Sequence, residues 1–315
     1  LKIFNIFNGE KAKRMIKADC AIVGGGPAGL QAALVLGRAR INVALIDDNR
    51  PRNAVTHASH SYLTRDGIKP AEFRRIAYEE VLSYPTVTRY EWEAKEITRV
   101  ENGFVLSGED DSRVLARKVL VTTGLKEILP DVEGLRDCYG KSLFNCPFCD
   151  GFELRDQPLA VFSEQPGAYH MVKMISHWSK DLVVCTNGSN SLSEEEKERL
   201  REKNIMVMEQ PVTSFVHQNG KLEAITFADG AILPRSGGFV APVLQPRADF
   251  QATLHYERNE LGGIAADAWG NSGVPGLFAA GDAAYVMPSQ LIFAAADGAR
   301  AAISVVKELI EEEME

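Results

Sequence analysis

No run of roughly 18 consecutive apolar residues, the length a helix needs to cross a bilayer, occurs anywhere in the 315-residue chain. The N-terminal stretch also lacks the compact apolar core and small-residue cleavage site of a secretory signal. A membrane protein is therefore not expected, and a cytoplasmic location is. Basic charge is in short supply: 35 Lys and Arg stand against 43 Asp and Glu, for a net charge of -8. Nucleic acid and acidic membrane surfaces both call for a basic patch, so neither is the expected main partner. Cysteine is scarce too. The five cysteines, at positions 20, 138, 146, 149 and 185, are too few and too scattered for a disulfide scaffold. Any close pair then points to redox or metal chemistry, and only Cys146 and Cys149 are close. A metal would need two further ligands, yet no second Cys pair or Cys–His pair stands at zinc spacing, so no metal site is expected.

What is present is ordinary globular composition, 45% hydrophobic and 25% charged, in a chain long enough for two domains of roughly 100 to 200 residues. Asp19-Cys20-Ala21-Ile22-Val23 reads as a buried strand, followed by a glycine-rich turn, a helix over 30–39 and a second apolar strand Val43–Ile46. Such a strand–turn–helix–strand unit of about 30 residues has the size of a nucleotide-binding βαβ. Residues 71–84 read as a helix and 86–121 as short strands. A second strand–helix–strand unit begins at Leu159-Ala160-Val161-Phe162 and reaches Leu182-Val183-Val184-Cys185, so the fold reads as duplicated. Residues 194–203 read as a solvated helix, and 205–240 as strands with turns at Asn219-Gly220 and Asp229-Gly230. The chain closes with an apolar strand at 277–282 and a long helix over 289–311. The expected fold class is α/β, with two Rossmann-like three-layer domains. Met15 precedes the first strand, and residues 1–17 read as an N-terminal extension, whether an upstream addition or an ordered arm.

Gly24-Gly25-Gly26-Pro27-Ala28-Gly29 fits G-x-G-x-x-G directly after a strand and at a helix start, with Asp47 about 20 residues on. Glycines let backbone approach a pyrophosphate, the helix start offers unpaired N–H groups, and a carboxylate accepts from a ribose diol. Gly24, Gly26, Pro27, Ala28, Gly29 and Asp47 are thus candidate cofactor residues. The motif alone does not separate FAD from NAD. Gly281-Asp282, at the end of an apolar strand, can aim a carboxylate at the ribityl chain of a flavin, although a Gly-Asp pair by itself is usually a turn. Its place far from the first motif and just before the final helix resembles that in two-dinucleotide flavoproteins, which points to FAD.

Cysteines at i and i+3 can close a disulfide if the segment enters a helix, where the dipole stabilises a thiolate. Pro147 suits the first helical position. One thiol attacks a partner disulfide and the other resolves the mixed intermediate. Cys20, Cys138 and Cys185 sit in or beside apolar segments and read as packing residues.

From residue 18 onward the sequence resembles the thioredoxin reductase family of flavoprotein disulfide reductases. The resembling blocks are Gly24–Gly29, Arg52-Asn53, Thr122-Thr123-Gly124, Cys146-Pro147-Phe148-Cys149-Asp150-Gly151, Gly281-Asp282 and Gln290 through Gly298. The resemblance implies a discontinuous FAD domain, 18–126 with 241–315, around a middle domain, 127–240, that carries the CxxC. It implies that Asn53, Thr123 and Gly124 belong to the flavin site, that Asp282 after Gly281 holds the ribityl chain, and that Gln290 meets the pyrimidine edge. It further implies that Cys146 meets the partner, Cys149 exchanges electrons with the flavin, and Asp150 is a general acid/base. A homodimer is expected, with a thioredoxin-like protein or a small dithiol or disulfide as substrate.

The chain departs from the family in its middle domain. Where a second glycine fingerprint would stand it has Ser163-Glu164-Gln165-Pro166-Gly167-Ala168, and no cation follows Val183-Val184-Cys185. NADPH is therefore not expected to bind in the usual way. The run Arg52-Asn53 to His60, then Thr64-Arg65-Asp66-Gly67 and Pro70, resembles an NADPH-poor branch that includes the dithiol oxidases of gliotoxin and holomycin biosynthesis. Oxygen or ferredoxin serves as the other electron partner in such relatives. There a histidine near the dithiol can act as base; His60 is the candidate here and His57 a weaker one, against the alternative of a merely solvated or packed ring. A reading of another class is a non-catalytic flavin-binding redox sensor, against which the intact CxxC and Asp150 argue.

Overall fold

The computed structural model describes residues 15–109 and 111–315. Most of the extension read over 1–17 lies outside the described residues. The described residues form two compact units: 15–50, 77–124 and 246–315 make the first, and 51–76 with 125–245 the second. Each has an α/β core.

In the first unit the strand Ile16–Val23 pairs in parallel with Val43–Ile46 on one side and Arg113–Val121 on the other. Val87–Tyr90 extends the sheet beyond Val43–Ile46, and Leu277–Ala279 runs parallel to the C-terminal half of Arg113–Val121. The N-terminal half of that long strand pairs instead with the antiparallel ribbon Glu96–Val100 and Gly103–Ser107. Alternation across the pleat divides the strand residues between two cores. Cys20, Ile22, Val43, Leu45 and Leu120 face the helices Pro27–Arg38 and Leu291–Met314, whereas Ala21, Val23, Ala44, Ile46, Val119 and Val121 pack against Phe250, Leu254, Tyr256 and Ile264. Leu30 and Leu36 are fully inside, worth about 2 kcal/mol each in burial. The two helices meet closely enough that a Cβ on Gly298 would lie 2.0 Å from the carbonyl oxygen of Ala28.

The second unit repeats the plan. Its parallel sheet runs in the order Met206–Met208, Leu182–Cys185, Leu159–Phe162, Gly237–Val240 and Leu143–Phe144. Leu159, Val161, Leu182 and Val184 face the helices Ala168–Ile175 and Glu194–Glu202, and Ala160, Phe162, Val183 and Cys185 face an antiparallel sheet of Val212–Gln218, Lys221–Phe227 and Ile232–Pro234. Asn219 and Gly220 both take positive φ, 55° and 85°, as a two-residue hairpin turn demands. Helix Glu194–Glu202 starts on a capping box between Ser193 and Glu196. Both sheets share one parallel run, Val87–Tyr90, Val43–Ile46, Ile16–Val23, Arg113–Val121 in the first and Met206–Met208, Leu182–Cys185, Leu159–Phe162, Gly237–Val240 in the second, which is the duplication read from the sequence. No described helix is long and apolar enough to cross a membrane.

The segment 51–76 groups by contact with the second unit, whereas the sequence reading placed it within 18–126. Long-range polar pairs account for this: the Arg52 guanidinium bonds Glu127 at 2.5 Å, and the Ser61 hydroxyl reaches the Phe148 carbonyl at 3.5 Å. Backbone approach adds to them, since a Cβ on Gly140 would lie 2.5 Å from the Val55 carbonyl oxygen.

Candidate functional sites

In the first unit the glycine motif forms the turn between the opening strand and helix Pro27–Arg38. Gly24 has φ 110°, and a Cβ there would meet the Thr122 carbonyl oxygen at 2.4 Å; at Gly29 it would lie 1.9 Å from the Gly24 carbonyl oxygen. These two glycines serve the turn itself. Gly26 differs: a Cβ there meets nothing within 4 Å. It is also the N-cap of the helix and supplies no side-chain cap, with Pro27 in the first turn and no acidic residue beside it. The helix start therefore presents amide donors and positive dipole beside open space, the arrangement that receives a phosphate.

Asp47 closes the second strand with only 6% exposure. It accepts from the Gly25 amide at 2.9 Å and from the Tyr78 hydroxyl at 2.6 Å. It thus braces the glycine turn. Tyr78, on helix Pro70–Leu82, carries no local sequence signal for this role. The Arg89 guanidinium stacks 4.2 Å from its ring centroid. The Thr122 hydroxyl, next to Thr123, donates to the Gly24 carbonyl at 2.8 Å, and Gly124 turns with φ 69°. Gly281 takes φ 60°, and a Cβ there would lie 2.8 Å from the Ala28 side chain. Asp282, in the 3-10 turn that follows, accepts from the Ser289 hydroxyl at 2.6 Å. Gln290 is the N-cap of helix Leu291–Met314 and makes no side-chain cap bond. The first unit thereby gathers Gly24 to Gly29, Asp47, Thr123, Gly124, Gly281, Asp282 and Gln290. Asn53 belongs to the second unit, in the 3-10 turn Arg52–Val55, where its amide lies 3.5 Å from the Ser59 hydroxyl.

The second unit holds the dithiol. Cys146 and Cys149 form a disulfide, with Cα atoms 5.3 Å apart, across the single-turn helix Pro147–Asp150. Cys146 is the N-cap and Pro147 opens the turn; the Cys146 carbonyl accepts from the Cys149 and Asp150 amides at 3.1 and 3.2 Å. The turn rests on Trp178, against which Phe148 packs edge-on with ring centroids 5.5 Å apart. Behind Cys146 stands a polar cluster that sequence reasoning missed. Glu127 accepts from Arg52 at 2.5 Å, from the Asn145 amide at 2.7 Å and from the Tyr139 hydroxyl at 2.8 Å. It fixes the residue immediately before the first cysteine. Burial and the Glu127 charge push the Tyr139 hydroxyl far above its usual range, so it remains a donor.

Asp150 is partly buried, and its acid strength is altered accordingly. Burial raises its pKa to about 7; the charge of His60 opposes the rise and that of Glu153 adds to it. His60 lies with Nδ1 3.5 Å from Asp66 and Nε2 3.7 Å from Glu153. The structure thus brings Cys146, Cys149, Asp150 and His60 into one unit, while His57 is exposed. Cys20, Cys138 and Cys185 are fully buried, and burial pushes the Cys20 and Cys185 thiols up to about 12. Such thiols pack and do not exchange.

At the turn expected to have lost its glycines, the Glu164 carboxylate accepts from the Asn187 amide, whose own oxygen accepts from the Val212 amide at 2.7 Å. Ser163 closes a local loop, accepting from the Gln165 amide at 3.2 Å.

A family model described as Pyridine nucleotide-disulphide oxidoreductase matches residues 18–300. The protein named thioredoxin reductase aclD from Aspergillus oryzae is 29% identical over 94% of this chain and 97% of its own length. Thioredoxin reductase tcpT from Claviceps purpurea is 30% identical, covering 84% of this chain and 86% of its own. Among solved structures, TrxB from Bacillus anthracis gives a TM-score of 0.90 at 41% identity, over 94% of this chain and 99% of that one. HlmI gives a TM-score of 0.90 at 32% identity, over 98% and 96%.

Proposed function

The chain belongs to the pyridine nucleotide-disulphide oxidoreductase family and is a thioredoxin reductase-like flavin disulfide oxidoreductase; on that premise we propose that Cys146 meets a partner dithiol or disulfide and Cys149 is its resolving thiol. The observation that carries this reading is the Cys146–Cys149 disulfide on a helix start, followed by an acid poised near neutrality. The first unit fits FAD: the uncapped helix beside open space at Gly26 suits the pyrophosphate, Asp47 the ribose, and Asp282 the ribityl hydroxyls, with Thr123, Gly124 and Gln290 beside them. Asn53 is assigned to the same cofactor. When bound, FAD would supply a second two-electron couple with which the cysteine pair exchanges electrons.

The protein's own groups do the rest. A thiol must lose its proton to attack, and a thiolate that leaves must regain one. Asp150, titrating near 7, suits both duties at neutral pH, and His60, whose charge acts on Asp150, is assigned as a second acid/base group. The partner is assigned as a thioredoxin-like protein or a small dithiol or disulfide, and the protein as a cytoplasmic homodimer.

We propose further that NADPH does not feed electrons in the usual way. Glu164 puts negative charge at the turn where a pyrophosphate would approach, and its bond with Asn187 ties that turn to the end of the neighbouring strand. Anaerobic mixing of the yellow protein with NADPH, NADH or dithiothreitol tests both parts. Bleaching by the dithiol, lost in Cys149→Ser, supports the cysteine roles. Rapid bleaching by NADPH refutes the reading of the middle unit, and peroxide formation on aeration identifies oxygen as the acceptor.

A further inference from the structure

Two charged groups act on the acid beside the dithiol, His60 and Glu153, and Glu153 has no assigned role. Glu153 is three residues beyond Asp150, so the two carboxylates fall on the same side of the continuing turn, where the Asp150 carbonyl accepts from the Leu154 amide at 3.3 Å. Its Oε1 lies 3.7 Å from His60 Nε2, and the opposite ring nitrogen lies 3.5 Å from Asp66. Asp66 in turn is held by the Ser61 amide at 2.8 Å, and Ser61 reaches back to the Phe148 carbonyl inside the CxxC turn. The imidazole thus stands between two carboxylates on a loop tied to the dithiol helix. Each carboxylate stands within ion-pair distance of one ring nitrogen, so an imidazolium there is attracted from both sides.

We propose that Glu153 is a positioning residue for the dithiol chemistry: with its Oε1 3.7 Å from Nε2 and Asp66 3.5 Å from Nδ1, it holds the His60 imidazole on the loop tied to the CxxC turn, and through that ring it acts on Asp150. The proposal rests on the reading of Asp150 as the acid/base partner of the cysteines. The groups facing Asp150 are His60 from the 59–68 loop, Glu153 from its own turn, and Tyr139, whose hydroxyl is engaged by Glu127 and feels the Asp150 charge. His60 favours the carboxylate form and Glu153 the protonated form, so the two act with opposite sign. Closing the two thiols to the disulfide releases two electrons and two protons from sulfur; bound FAD would take the electron pair with one proton, and the carboxylate form of Asp150 would accept the other.

The test uses the flavin-loaded full-length protein. Anaerobic reduction by dithiothreitol is followed across pH, and the protonated carboxyl band of Asp150 is titrated by infrared difference against Asp150→Asn. The reagent's own ionisation is common to all variants, so differences between profiles belong to the protein. Wild type shows an inflection near 7 that Asp150→Asn lacks. Glu153→Gln moves it to lower pH by about half a unit to one unit, and His60→Gln moves it to higher pH by a similar amount. A Glu153→Gln inflection that stays in place or rises overturns the proposal. If dithiothreitol does not bleach the flavin, or Asp150→Asn keeps its inflection, the reading beneath fails, and the infrared titration of Glu153→Gln still decides the proposal by the same shift.

Discussion

Tyr78 donates its hydroxyl to Asp47 at 2.6 Å, and the other oxygen of that carboxylate holds the Gly25 amide at 2.9 Å. A phenol on one helix thereby fixes the height of the glycine turn against the second strand. Bonds to charged acceptors contribute roughly 1.5 to 3 kcal/mol. Tyr78→Phe is expected to lower stability by about 1 to 2 kcal/mol and to weaken FAD retention about tenfold, read by thermal melting and by flavin lost on dialysis. Unchanged retention would show that Asp47 needs no such brace.

The glycines of the motif separate by cause. Gly29→Ala drives a methyl into the Gly24 carbonyl oxygen, so the apoprotein itself is expected to lose about 2 kcal/mol or more. Gly26→Ala meets nothing in the protein; its apoprotein should melt within about 0.5 kcal/mol of wild type while FAD affinity falls. Equal loss of apoprotein stability in both variants contradicts the assignment of the space at Gly26 to a ligand.

Stability should carry the imprint of Asp150. Its native pKa is raised from 3.8 to about 7, first by burial, then by Glu153 and against His60. The native state therefore binds more protons than the unfolded state between those values, and stability falls as pH rises from about 4 to about 7. The full shift corresponds to at most about 4 kcal/mol, and solvent reaching the partly buried carboxyl reduces it. Asp150→Asn is expected to be more stable than wild type at pH 8 and to lose that advantage near pH 4. Urea titrations of the oxidised proteins at both pH values measure this; an advantage that grows toward acid pH reverses the sign and refutes it.

The parallel sheets were readable because buried strands are written as short apolar runs: Val43–Ile46, Leu159–Phe162 and Leu182–Cys185 have the observed bounds. The helix after the glycine motif begins at Pro27, three residues before its expected start at Leu30, since proline and small residues fill its first turn without adding apolar signal. The polar shell of the dithiol was less legible. Glu127 sits in Leu125-Lys126-Glu127-Ile128, a four-residue strand whose sequence carries no motif, and its partners Arg52, Tyr139 and Asn145 are 75, 12 and 18 residues away. Glu153 and Asp66 find His60 only through the fold. Hydrophobic periodicity is local, whereas these polar partners are chosen by tertiary contact.

Lys118 anchors the long C-terminal helix. Lys118 has 4% exposure, on the strand that carries Thr122 at its end, and bonds Glu308 at 2.7 Å and Glu312 at 2.5 Å. Burial opposes its charge, but the two carboxylates outweigh that and hold the ammonium above its usual range. Because the native pKa is the higher one, this contribution is complete below the unfolded value of about 10.5 and is lost only as pH rises through the native value. Lys118→Met keeps the apolar stem and removes the charge, leaving Glu308 and Glu312 to solvent on the helix, where they remain partly exposed. A loss of about 1 to 3 kcal/mol at neutral pH is expected, below that of a fully enclosed pair because water can reach the abandoned carboxylates. Gln290 is the N-cap at the opposite end of the same helix, so fraying at the Lys118 end should leave flavin content unchanged while amide exchange over 305–314 accelerates. Flavin loss in step with that exchange would instead show that the helix responds as one rigid unit from Lys118 to Gln290.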